Sequence, residues 1–321
     1  MTVIRSGGQR PSRRAALLTA LGANVAVAVA KGIAAAITGS SAVLAEALHS
    51  VADSTNEILL LVGARRAGRP ADLRHPFGHA RYRYLYAFVV SLAVFWIGGV
   101  LSVLEGVSHL LTRAEIVDPR WALGVLALAA ILDGWSLRTT KLAWRGAKGE
   151  LSWRRVIRET KAPDLIVVFL EDVGAIAGVA IAGIGVLLTT ITHDGIWDAI
   201  ASIAIGALLM AIGLVVNRET QSLLVGEAAA VDVVATIRDA IATTEGIDGV
   251  HELRTIHIGP EDLVVVAGIW VDAASSATAV SRSIDAAEQR VREVAPFRTV
   301  VSIEPRVRDG ADPNQLESTT P

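Results

Sequence analysis

One stretch limits what this chain can become. Residues 41–63, SAVLAEALHSVADSTNEILLLVG, are long enough and apolar enough to cross a bilayer, which takes about 20 residues of helix. Yet the stretch carries Glu46, His49, Asp53, Asn56 and Glu57. Positions three and four apart share one face of a helix, so Glu46, His49, Asp53 and either Asn56 or Glu57 form a polar stripe among Ala, Val and Leu. An ionisable group at bilayer depth costs about 2.5–3.5 kcal/mol on insertion scales, and such groups face a partner or a cavity and mark ion or proton paths.

Composition places the stretch among several others like it. Of 321 residues, 52% are hydrophobic and only 5% aromatic, and the mean hydropathy is +0.48, too apolar for an ordinary soluble domain. Cysteine is absent, which excludes disulfides, thiolate metal sites and thiol redox chemistry. The net charge of −2 names no acidic or basic partner. The basic N-terminus runs into a full-length apolar span with no clear signal-peptide cleavage site.

Taken in order, residues 1–13 form a polar, basic N-terminus. Six apolar spans are expected at roughly 15–38, 41–63, 85–112, 120–141, 164–190 and 196–217, together a membrane domain over 14–217. Lys and Arg concentrate in the N-terminus, in the loop at 64–84 and in the loop from Lys141 to Lys161, whereas the opposite turns hold only Arg113 and Arg120. The positive-inside rule then places both termini in the cytoplasm. These basic loops are explained by topology rather than by nucleic acid, and no nucleic-acid partner is expected.

From 218 the pattern changes. Asp232–Thr243 reads as an amphipathic helix, VHELRTIHIG (250–259) and DLVVVAGIWVD (262–272) as a β-hairpin, 276–294 as a helix and RTVVSIEP (298–305) as a last strand. The order α-β-β-α-β predicts a small soluble α+β domain over 218–306. The polar tail, 307–321, reads as disordered.

Two constellations carry metal chemistry. His49 and Asp53, one turn apart in the second span, and Glu171 and Asp172 in the fifth offer imidazole and carboxylate ligands of the kind tetrahedral Zn²⁺ takes. These ligands bind metal deprotonated, which links metal to proton release, and His49, Asp53 and Asp172 are the proton-coupling candidates. The plainer alternative is that the groups satisfy one another in helix packing. The second constellation is Asp72, His75 and His79, in a loop that Pro76 keeps from being helical. Among the other polar interruptions, Lys31 and Asp198 are read as snorkelling near span ends, and Glu105 and Asp133 as deeper groups that meet a cation or line a vestibule. Walker sequences, GxGxxG and nucleophile elbows are absent, and no arrangement of nucleophile, base and oxyanion donor suggests an enzyme.

The stretches SSAVLAEALHSVADSTNEILLLVG, RHPFGHARYRYLYAF and LLVGEAA, set in the six-span plan with its α-β-β-α-β tail, resemble the cation diffusion facilitator family over about residues 14 to 305. The resemblance implies a homodimeric secondary transporter that exports a divalent metal from the cytoplasm in exchange for protons, with the metal as substrate and no cofactor. It implies a tetrahedral site between the second and fifth spans and a ferredoxin-like cytoplasmic domain. His49 and Asp53 match the second-span pair, and a His at the first position resembles the zinc-preferring branch. Asp172 matches the second of two fifth-span positions. The first falls on Val168, which cannot bind metal, and Glu171 is the candidate stand-in. LEDVGA resembles a divergent branch that includes a mitochondrial zinc transporter. Asp72, His75 and His79 match a loop zinc site of bacterial members. His251 matches one ligand of their binuclear cytoplasmic site, whose other histidine positions are filled here by Gly268 and Ser302, with Glu304 as a possible carboxylate.

The leading expectation is therefore an integral membrane protein of the bacterial inner membrane exchanging Zn²⁺ for protons by alternating access. The rivals are the same fold carrying Mn²⁺, Fe²⁺ or Co²⁺, since first-row metals share ligand types, and a membrane-anchored metal sensor. The polar stripe argues against the sensor, because a mere anchor has no need of costly groups.

Overall fold

The computed structural model describes residues 13–112, 115–148 and 163–307. Among the described residues six helical rods come first: α1 (Arg13–Thr38), α2 (Ser41–Ala67), α3 (Tyr82–Thr112), α4 (Pro119–Lys148), α5 (Pro163–Thr192) and α6 (Ile196–Val225). Four contain segments long and apolar enough to cross a membrane: Tyr82–Thr112, Pro119–Arg138, Ile166–Thr192 and Ile196–Val225. Within α1, Asn24–Thr38 is a further apolar segment, and the acids in α2 offset its apolar length. The expected N-terminal segment 1–12 and tail 308–321 lie outside the described residues. So do Arg154, Arg155, Arg158 and Lys161 of the basic loop, while Lys141 to Lys148 prolong α4.

The rods pack as their small residues dictate. Gly39 takes the left-handed backbone (φ 68°) that turns α1 into α2, and Ser40 caps α2 by accepting from Val43 N at 3.1 Å. Between α3 and α6, a side chain at Gly99, Gly106 or Gly206 would collide with the facing helix, so glycine sets how closely they approach. Helix α3 carries a π-helical stretch at Val94–Val100. A core of Ala, Val, Leu and Ile runs through the bundle, while large apolar groups such as Trp96, Leu111, Ile131 and Trp135 face outward, as a lipid-facing surface requires.

The chain divides into two compact units, and Pro70–Arg81 groups with Ser222–Pro321 rather than with the bundle. In the second unit the elements are α7 (Val231–Ala242), β1 (Gly249–Gly259), β2 (Asp262–Val271), α8 (Ala277–Val294) and β3 (Arg298–Val307). The sheet order is β1-β2-β3. β1 and β2 pair antiparallel through a tight turn, and β3 pairs parallel to β2, which needs the crossover that α8 supplies. Ile237, Ile241, Leu263, Val265, Ile269 and Val291 form the core beneath. The α-β-β-α-β reading is the observed order.

Candidate metal centres

The polar stripe of α2 is buried. Glu46 and Asn56 are wholly inaccessible, His49 nearly so, and Asp53 is 18% exposed. The stripe is first answered by α1. Lys31, read from sequence as a snorkelling residue, is fully buried instead, 2.9 Å from Glu46 Oε2, and donates to Ser50 Oγ at 3.0 Å. The reason is the hairpin. Lys31 lies eight residues before Gly39 and Glu46 seven after, so the two sit at one depth and the charge is neutralised in place rather than carried to water. Glu46 is also pressed against the backbone of Gly178 in α5, where a Cβ would collide with its Oε1. Further along, Asn24 Nδ2 donates to Glu57 Oε1 at 2.8 Å.

Asp198 corrects the snorkelling reading in the same way. It is buried in the first turn of α6 and accepts from Ser40 Oγ (2.5 Å), Ser41 N (2.5 Å) and Ser41 Oγ (2.8 Å). Its carboxylate thereby satisfies N–H and O–H groups at the start of α2, which a helix N-terminus otherwise leaves without partners.

Helix α5 answers the other half of the stripe. His49 Nδ1 is 3.5 Å from Asp53 Oδ1, and the imidazole lies near Gly174 of α5, where a side chain would collide with Ile212 rather than with His49. Asn56 Nδ2 donates to Glu171 Oε1 at 2.6 Å. Adjacent helical residues point about 100° apart, and the structure separates the two acids accordingly. Glu171 turns to α2, whereas Asp172 accepts from Ser136 Oγ of α4 at 2.8 Å. Val168 is 39% exposed. Among the described residues, His49, Asp53, Glu171 and Asp172 do not bring three ligand atoms within 4.8 Å of one another. Glu171 lies on the α2–α5 contact with His49 and Asp53 on the facing helix, Asp172 faces α4, and no cage is closed among the described residues.

The loop cluster is closed. Asp72, His75 and His79 each offer a ligand atom within 4.8 Å of the others. A tight turn does this. Asp72 and His75 exchange both backbone hydrogen bonds at 3.2 Å, Asp72 Oδ1 accepts from Arg74 N (2.8 Å) and His75 N (2.7 Å), and Gly78 takes φ 82° to bring His79 back. The imidazole rings stand 4.4 Å apart, and His79 Nδ1 meets Pro70 O at 3.1 Å, which directs Nε2 toward Asp72 Oδ2, 3.6 Å away. A hydrogen bond from the other ring nitrogen in this way orients a ligating imidazole. The His75 backbone N–H first, with that of Arg74 and the His75 ring, holds the Asp72 carboxyl below the usual carboxylate range.

The remaining candidates do not gather. His251 lies across Gly268 and against Trp270, with ring centroids 4.9 Å apart. Among the described residues no cluster of three ligands includes it, Glu304 or the Glu105–His109 pair, whose nearest atoms are 3.3 Å apart. Sequence reasoning missed three features: the Lys31–Glu46 pair, the Asp198 cap and the Asn56–Glu171 bond. Equal distance from Gly39 was the available signal for the first. The others join segments far apart in sequence and leave no periodic trace.

A membrane-type helical bundle with acids and an imidazole at a two-helix interface, followed by a small α+β domain, defines a class of cation-handling membrane proteins. Residues 17–225 match the cation efflux transmembrane domain, and residues 230–306 match the cation efflux protein cytoplasmic domain. The chain belongs to the cation efflux family, a family of transporters rather than enzymes. It is 28% identical over 225 residues to the proton-coupled zinc antiporter SLC30A9, mitochondrial, of Xenopus laevis, a match covering 69% of this chain and 40% of the relative. To the Homo sapiens protein of that name it is 29% identical over 226 residues, covering 69% and 39%. To the magnetosome protein MamB of Magnetospira sp. it is 25% identical over 289 residues, covering 87% and 92%. The chain thus matches about 40% of the length of the zinc antiporters it resembles.

Proposed function

We propose that this chain carries a divalent metal ion, Zn²⁺ first, across a membrane in exchange for protons. The supporting observation is that the face of α2 bearing His49 and Asp53 meets Glu171 of α5 through Asn56, whose Nδ2 donates to Glu171 Oε1 at 2.6 Å. Bound metal requires these groups deprotonated, so protons arriving from the far side compete it off. In the state described Glu171 faces α2. Asp172 holds the family-matched position, and rotation of α5 by about 100° exchanges one acid for the other, giving the site two arrangements for alternating access. The open arrangement fits this, because a carrier must release what it binds.

In this reading six spans cross the membrane, both termini lie in the cytoplasm, the α+β domain pairs two copies of the chain, and the membrane is a bacterial plasma membrane. The Asp72–His75–His79 turn holds a second metal ion outside the bundle. The printed name of the SLC30A9 relatives, proton-coupled zinc antiporter, supports metal and coupling together. One observation favours Mn²⁺, Fe²⁺ or Co²⁺ as a second reading. With Val168 turned away and carboxylates dominating, the site is richer in oxygen than a zinc site needs to be. Radioactive zinc uptake into proteoliposomes under an imposed pH gradient tests the proposal. Wild type should accumulate metal, and Asp53→Ala and Asp172→Ala should not. Equal uptake by all three would exclude this site.

A further inference from the structure

This inference rests on the transport-site reading above. Asn56 occupies a place that no family-matched ligand explains. It is fully buried, 0% exposed, and three and seven residues past Asp53 and His49, on the same face of α2. Its Nδ2 donates to Glu171 Oε1 at 2.6 Å, and its Oδ1 is buried and accepts nothing. The two atoms share one carbon, so this unsatisfied oxygen lies beside the Glu171 carboxylate. Asp53 Oδ1 and Glu57 Oε2 are likewise buried without a donor, and neither ring nitrogen of His49 makes a hydrogen bond. Buried acceptors normally find a donor, and leaving one unmet costs about 1–3 kcal/mol. Here several acceptors follow one another along α2 while the nearby ammonium of Lys31 is engaged by Glu46 and Ser50. The set is short of positive charge, and the Nδ2 bond to Glu171 leaves the carbonyl as the end of Asn56 able to meet it.

We propose that Asn56 Oδ1 is a ligand of the transported metal. It supplies from the second span the donor that Val168 cannot supply from the fifth. With His49, Asp53 and Glu171 it completes one nitrogen and three oxygens, while its Nδ2 orients Glu171 from within the same amide. Such a set takes borderline and hard divalent ions (Zn²⁺, Co²⁺, Fe²⁺, Mn²⁺) and disfavours soft, thiophilic ones.

The test uses the full chain in detergent with His75→Ala and His79→Ala to silence the loop cluster, titrated with Co²⁺ and with Zn²⁺. The protein has no cysteine, so in Asn56→Cys a sulfur-to-cobalt charge-transfer band arises only if position 56 enters the coordination sphere. The expected result is that band, together with about a hundredfold weaker Zn²⁺ binding in Asn56→Leu, at the upper end of what metal sites lose on substitution of supporting groups. No band in Asn56→Cys overturns the proposal. It does so also if Asn56→Leu binds poorly, since Asn56 would then merely prop Glu171. Asp53→Ala separates the two levels. If it binds Co²⁺ as well as its parent, the transport-site reading itself falls. If it does not bind and the Asn56 variants behave as their parent, only the ligand assignment falls.

Discussion

The loop cluster and the intramembrane cluster are built from the same side chains by opposite means. Asp72, His75 and His79 lie within eight residues, are drawn together by one hydrogen-bonded turn, and each offer a ligand atom within 4.8 Å of the others. His49, Asp53, Asn56, Glu171 and Asp172 come from two helices over a hundred residues apart, and their positions depend on how α1 and α5 pack against α2 and how α4 packs against α5. A site closed by its own turn is stiff and suits holding an ion. A site divided between helices changes when the helices move, and suits passing one on.

That contrast can be broken most severely at Lys31. Removing it leaves Glu46 as an uncompensated buried charge, which costs about 3–5 kcal/mol. Lys31→Met should therefore lower thermal stability sharply in detergent, and Lys31→Met/Glu46→Leu should recover most of the loss. If Lys31→Met melts like wild type, the buried pair is not what holds α1 to α2. Next in size is the difference in dependence on metal. Asp53→Ala should reduce zinc flux by about a hundredfold, whereas His75→Ala should remove one bound ion, counted by equilibrium dialysis, and change flux far less. Equal flux losses would mean the two centres work as one.

Smaller, and specific to α5, is the division between neighbouring acids. Glu171→Ala should weaken resting-state Zn²⁺ binding about tenfold. Asp172→Ala should leave that affinity nearly unchanged while abolishing transport. The reverse pattern would place Asp172 on the α2 side at rest. The smallest effect is a titration. The Asp72 carboxyl is held below its ordinary range in the fold, so its contribution is complete above about pH 4 and lost as acid lowers the pH through the folded value. The side-chain carboxyl carbon resonance of Asp72 should take its titration step below about pH 4.

Much of this was legible in the sequence for local reasons. Val-Ile alternation and a Gly-Pro turn gave the strands of the α+β domain, and the spacing of Asp72, His75 and His79 gave the loop cluster, because those contacts span few residues. Lys31 and Asp198 were misread because solvent was taken as their natural partner, when the hairpin at Gly39 and the start of α6 had already provided buried ones. That Glu171 rather than Asp172 faces α2 could not be read at all. Adjacent helical residues differ only in azimuth, and azimuth is set by packing across the bundle.

The most direct test of the central claim follows both ions at once: zinc entry and proton exit in proteoliposomes bearing a metal dye and a pH dye. The two-helix site predicts that zinc entering wild-type vesicles drives protons out, and that Asp53→Ala abolishes both fluxes together. Zinc entry without proton movement, or proton-coupled entry that survives Asp53→Ala, would contradict it.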